Sequence, residues 1–206
     1  MERVAALFKL VLAFTKNVWG SVRRPYATYR QFDREDPYQL LIHMGLIALY
    51  FFLVSPVKLR TLHPFILSLN VSRLFTVSLT TYIGICLLLL VLGKMVGGKP
   101  NLRAILLGWG YSLIPTLIWF FATSLFYLLL PPPRTETILG RSFSLIFNTF
   151  SLSLFFWKGM LYYLTLRFGM KLDLRQISVI SVIFLPLLVV YAVLMYRFHI
   201  FRVPFV

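Results

Sequence analysis

Apolar residues along this chain fall in five long blocks separated by short basic segments, with no period-two alternation between them. The blocks run from about Tyr38 to Val57, Leu74 to Leu92, Ala104 to Leu130, Phe143 to Leu166 and Ile177 to Tyr196. Each is near the ~20 apolar residues a helix needs to cross a bilayer. Continuous blocks predict helices, because in hydrocarbon every backbone N–H and C=O needs a partner within its own segment. Lys58 and Arg60 stop the first block, and Lys94 with the Gly97-Gly98-Lys99-Pro100 turn stops the second. Pro131-Pro132-Pro133 stops the third. Pro115 and Pro186 lie inside the third and fifth, where each removes a backbone donor and predicts a kink.

The first 37 residues follow another pattern. From Val4 to Trp19 the apolar residues Leu7, Phe8, Leu10, Val11, Leu12, Phe14, Val18 and Trp19 surround Glu2, Lys9, Lys16 and Arg23, which recur every seven residues. Seven residues are nearly two helical turns, so the charges share a face. The pattern predicts an amphipathic helix lying in the cytoplasmic headgroup plane. A secretory signal is the rival reading, but Lys9 and Lys16 interrupt the apolar region and no small-x-small cleavage site follows.

Composition and charge sharpen this picture. Of 206 residues 59% are hydrophobic and 13% charged, and the mean hydropathy is +0.83, whereas soluble domains carry about 45–50% apolar and 25% charged residues. The formal charge of +15 divides by topology. The segment before the first span and the second and fourth loops hold 13 basic residues, against 7 in the first and third loops and the tail. The positive-inside rule then puts the N-terminus in the cytoplasm and the C-terminus outside, with the cytoplasmic cations drawn to anionic lipid. The expected fold is all-α: a polytopic membrane protein of five transmembrane helices with an N-terminal interfacial amphipathic helix. Its parts are a cytoplasmic segment 1–37, a membrane domain 38–196 and a short outside tail 197–206. The basic residues flank spans instead of forming one patch interleaved with aromatics, which excludes nucleic acid as the expected partner.

Chemistry-bearing residues are few. Lys158 is the one formally charged residue inside a predicted span, and such charges are functional-site hypotheses by default. Ser144, Asn148, Ser151, Lys158 and Tyr162 share one face of the fourth helix, with Phe155 its apolar member. Two readings stand for Lys158: a polar interior site, or snorkelling to headgroups near Leu166. Any acidic partner would come from Asp33, Glu35 or Asp36. Gly93 to Lys99 has phosphate-loop spacing, but it follows a membrane helix and ends in Pro100 where Ser or Thr is needed. The expected role is a tight turn whose Lys99 and Arg103 touch lipid phosphate. Gly108, Gly110 and Ser112 read as a close-packing site near Pro115, with a conduit as the alternative. His43 is a packing residue or a proton relay, and the solitary Cys86 forms no internal disulfide. His63 and His199 have no cysteine or carboxylate cluster at metal-ligand spacing. No cofactor and no enzyme signature is implied.

Gly97-Gly98-Lys99-Pro100-Asn101-Leu102-Arg103, followed by Gly110-Tyr111-Ser112-Leu113-Ile114-Pro115, resembles the signature of the Yip family of five-span membrane proteins. Pro25 to Arg34 and Trp157 to Leu164 are similar to it too. The resemblance implies a cytoplasmic N-terminus, five helices and a role in membrane traffic with small GTPases in eukaryotic members. This chain lacks their long cytosolic region with an Asp-Leu-x-Gly-Pro-like segment before the first span; its nearest acidic stretch is Asp33-Arg34-Glu35-Asp36-Pro37, and the compact form resembles prokaryotic members. The expected function is a non-enzymatic inner-membrane scaffold. Its expected partners are membrane lipids and other membrane proteins or itself as a homo-oligomer. Gly97, Gly98, Gly110, Tyr111, Pro115 and Pro186 would be structural, and Lys99, Arg103 and Lys158 would contact lipid or partner. The alternative is a small transporter or channel subunit with its pathway along the fourth helix. A lipid-active membrane enzyme is a third reading, requiring a reactive cluster assembled from different helices.

Overall fold

The computed structural model describes residues 2–54, 64–129 and 138–200, and among these every regular element is helical. In chain order they are α1 (Glu2–Arg23), α2 (Pro25–Arg30), α3 (Gln39–Leu49) with a π-helical turn at Tyr50–Val54, α4 (Pro64–Met95), α5 (Leu102–Ser112), α6 (Ile114–Leu129), α7 (Ile138–Leu164) with a π-helical turn at Thr165–Gly169, and α8 (Leu174–Arg197). Asn101 caps α5 by accepting a hydrogen bond from the Arg103 N–H. Asp173 and Gln176 form a capping box at the start of α8, satisfying two donors a helix start leaves over.

Among the described residues three helical units are long and apolar enough to cross a membrane: Val71–Met95, Leu102–Leu129 and Leu174–Arg197. The first predicted block appears as a shorter apolar helix, Gln39–Leu53. The fourth is 27 residues long as α7 and is not one of these three. Ser55 to Val57, Lys58, Arg60, His63, Leu130, the Pro131–Pro133 run and residues 201–206 lie outside the described residues.

One boundary differs from expectation. The third block is two helices, α5 and α6, meeting at Leu113. Pro115, the second residue of α6, suits a helix start, where its missing N–H needs no partner; the predicted kink is therefore a break between helices. Pro186 lies inside α8, Leu174–Arg197.

The helices pack in a readable register. Along α5 and α6 the partners on the α7 side run backwards: Ile105 packs on Gly169, Gly108 on Thr165, Trp119 bonds Ser151, and Phe126 meets Phe143 at 5.0 Å between ring centroids. These elements are antiparallel. α3 runs with α5–α6 instead, from Leu40 beside Gly110 to Tyr50, whose hydroxyl lies 3.4 Å from the Ser124 hydroxyl. The largest buried cluster joins α4, α5 and α8 through Cys86, Leu89, Ile105, Trp109, Ile180 and Phe184. A second joins α1 and α2 to α5 and α7 through Phe14, Tyr29, Phe32, Leu107, Tyr111 and Leu161.

Candidate functional site

Three polar features sit on this scaffold. The first is a buried cluster where α1, α3 and α5 meet. Gln39 is fully enclosed, and its Oε1 accepts from Asn17 Nδ2 at 3.0 Å and from the Tyr111 hydroxyl at 2.5 Å. Its Nε2 donates to Glu35 Oε2 at 2.9 Å. Phe14 and Phe32 each stack with Tyr111, and His43 meets it edge-on at 4.7 Å. The Tyr29 hydroxyl donates to the Gly108 carbonyl at 3.3 Å, and burial holds its pKa well above the ordinary tyrosine value. His43 is fully buried here: its Nδ1 lies 3.3 Å from the Gln39 carbonyl, and its Nε2 has no partner among the described residues. The sequence singled out Tyr111 and His43 but missed Asn17, Tyr29 and Gln39.

The second feature is a clamp between two loops. Gly97 turns the chain after α4 at φ +83°, a conformation that favours glycine. The Gly98 N–H then donates to the Gly93 carbonyl at 2.8 Å, Lys99 N–H to Met170 O at 2.9 Å, and Asn101 N–H to Gly169 O at 2.8 Å. A Cβ on Gly98 would come within 2.5 Å of Leu172 Cδ2, 2.8 Å of Met170 O and 2.9 Å of Gly93 O. Arg167 closes the other side, donating to Leu172 O at 2.7 Å and pairing with Asp173 at 3.1 Å. Gln176 Nε2 donates to Val96 O at 2.9 Å. The family-like glycine turn is thus the seat for the loop that starts α8. Lys99, Arg103, Lys171 and Arg175 are exposed on these elements.

The third feature is a groove of about 520 Å³ bordered by α5, α6, α7 and α8. Ser151, Lys158 and Tyr162 line it with Trp109, Thr116 and Trp119. Lys158 Nζ donates to Thr116 Oγ1 at 2.9 Å, Trp119 Nε1 to Ser151 Oγ at 2.9 Å, and the Tyr162 hydroxyl lies 3.3 Å from Ser181 Oγ. Helical side chains lean toward the helix N-terminus, so Lys158 reaches away from the Leu166 end and into the groove. Ser144 and Asn148 of the same stripe line a neighbouring depression of about 430 Å³ with Arg141, Leu145, Thr149 and Leu152.

These features are separate. Thr116 lies eleven residues beyond Ile105, about 16 Å of helical rise, so Lys158 does not join Lys99 and Arg103. Gly108 and Gly110 are close-packing positions, Gly108 against Thr165 and Gly110 against Leu40 and the Tyr82 hydroxyl; Ser112 is buried and bonds its own helix at the Trp109 carbonyl, 2.7 Å away. Cys86 is free and buried. Among the described residues no group of three His, Cys, Asp or Glu side chains is placed to hold a metal ion.

No curated protein and no solved structure matches this chain. The family model of the Yip1 domain matches residues 19–196, taking in the glycine clamp, the lysine groove and the buried cluster apart from Phe14 and Asn17, and the chain belongs to this family of membrane proteins.

Proposed function

We propose that this protein is a non-enzymatic, five-span scaffold of the Yip type in the bacterial inner membrane, with its N-terminus cytoplasmic and its C-terminus outside. The observation that carries the reading is the clamp between residues 97–101 and 169–172. It fixes the ends of α4, α5, α7 and α8 against one another and leaves Lys99, Arg103, Lys171 and Arg175 pointing out from a rigid face. A rigid cationic face at the membrane surface suits anionic headgroups and the acidic groups of partner proteins, each cation near such a surface contributing about 1 kcal/mol. The buried polar groups of the Asn17–Gln39–Tyr111 cluster bond to one another, which suits a structural role.

Crosslinking in native membranes, followed by mass spectrometry, tests this. Recurrent membrane-protein partners are expected, and the joint variant Lys99→Glu/Arg103→Glu should lose them. Recovery of only lipid and the protein itself would count against a scaffold.

One observation favours a second reading, a small transporter with its pathway along α7. Lys158 holds its amine in the groove beside Thr116. Intramembrane cations are costly and mark transport paths.

A further inference from the structure

We propose that the polar stripe of α7 is a bilayer-open track on which phospholipid headgroups cross between leaflets, with the Lys158 ammonium holding the lipid phosphate midway. The proposal rests on the transporter reading above and names its cargo.

The depth of Lys158 is the starting point. Its partner Thr116 stands at the middle of the 28-residue unit Leu102–Leu129. In the antiparallel register it falls about halfway between the Ile105–Gly169 level and the Phe126–Phe143 level. A phosphate drawn to an ammonium at that depth belongs to a lipid in passage.

Polar groups continue above and below it. Toward the α8 start, Tyr162 meets Ser181, and Ser178 lies one turn further along α8, exposed. Toward the α7 start come Ser151 with Trp119, then Asn148, Thr149 and Ser144 in the adjoining depression. The spacing leaves no long apolar gap on this face, whereas an unassisted headgroup meets nothing polar across ~30 Å of hydrocarbon.

The track is open sideways. Phe155 and Leu185 on the groove border are 69% and 49% exposed, and Asn148 and Thr149 are exposed. Acyl chains can therefore stay in the bilayer while the headgroup follows the groove. Lys158 is the cation in the groove, and the described residues lining the two depressions include no Asp or Glu. A cation with no carboxylate beside it among those residues fits a phosphate.

The full chain in vesicles of phosphatidylethanolamine and phosphatidylglycerol, with a trace of fluorescent phosphatidylglycerol, provides the test. External dithionite bleaches only the outer leaflet unless lipid crosses. Wild type should expose the inner-leaflet fluorophore, and Lys158→Met should slow crossing about tenfold, equivalent to roughly 1.4 kcal/mol of barrier, while Lys158→Arg keeps it. Asn148→Leu, at an exposed position in the second depression, should also slow crossing, and it carries the test if Lys158→Met fails to fold. No faster crossing than in protein-free vesicles, or a wild-type rate in both Lys158→Met and Asn148→Leu, overturns the proposal. Efflux of trapped inorganic phosphate from the same vesicles separates the cargo. Phosphate efflux without lipid crossing overturns the lipid track but keeps the transporter reading, and absence of both overturns the two together.

Discussion

At Gly98 a single hydrogen atom decides whether two loops can meet. A Cβ there would press on two backbone carbonyl oxygens, Met170 O and Gly93 O, as well as on Leu172 Cδ2. Backbone oxygens held by their own hydrogen bonds cannot step aside as a flexible side-chain tip can. Gly98→Ala should therefore cost about 1–3 kcal/mol, the usual range for overpacking. Gly45, whose Cβ would meet nothing within 4 Å, provides the contrast: Gly45→Ala inside α3 should be neutral or stabilising by up to about 1 kcal/mol. Thermal unfolding of both variants in one detergent checks this, and equal Tm values would refute the clamp. The importance of Gly97 and Gly98 was legible in the sequence as a turn motif. The loop they receive, Gly169 to Leu172, was not, because its pairing spans about seventy residues and carries no pattern of its own. Gln39 was illegible for a similar reason: its partners Asn17 and Tyr111 lie 22 and 72 positions away, and a lone glutamine at the start of an apolar block looks like an ordinary boundary residue.

At the scale of the element, α1 combines three faces on one helix. Phe14, Asn17 and Ser21 are buried against the bundle. Phe8, Leu12 and Trp19 form an apolar sector that stays exposed, and Lys9, Lys16 and Arg23 form a third, charged sector. The seven-residue charge spacing made the helix and its charged face readable. It did not separate the apolar residues that pack on protein from those left outside, since both are simply hydrophobic in sequence. An exposed apolar sector beside a cationic one suits a helix lying at the headgroup boundary. Spin labels placed singly at residues 8, 12, 9 and 16, in a Cys86→Ala background, should divide accordingly in lipid vesicles. The first two should favour collisions with oxygen, and the last two collisions with a water-soluble nickel complex. Uniform water exposure at all four would remove the interfacial placement. α7 shows the reverse case. Its stripe of Ser144, Ser151, Lys158 and Tyr162 was legible from helical spacing, but the division of that stripe between two depressions depends on where α6 and α8 lie against it.

For the whole molecule the deciding quantity is the number of crossings, because an odd number puts the two ends on opposite sides. α3 is the critical element. Gln39–Leu53 is 15 residues, about 22 Å of rise against ~30 Å of hydrocarbon. Length alone argues that it stops short, which would leave four crossings and both termini on one face. Register argues otherwise. α3 begins beside Gly110, already well along the Leu102–Leu129 unit, and continues to Tyr50 beside Ser124 and Leu53 beside the groove that Leu125 and Leu128 also line. Its start is thus recessed, with α1 and α2 packed at the same level through Phe14 on Tyr111 and Tyr29 on Gly108, and its end reaches the far face. The α8 end comes to that face as well, since Met195 and Ile200 pack with the cluster around Tyr50 and Phe51. The expected outcome is five crossings with the ends opposed. In right-side-out membrane vesicles of the Cys86→Ala variant, a membrane-impermeant maleimide should label a cysteine placed at His199 at once, and one placed at Lys9 only after the membrane is opened. Immediate labelling at both positions would mean that α3 does not cross, and the 13-to-7 division of basic residues would then need an explanation other than topology.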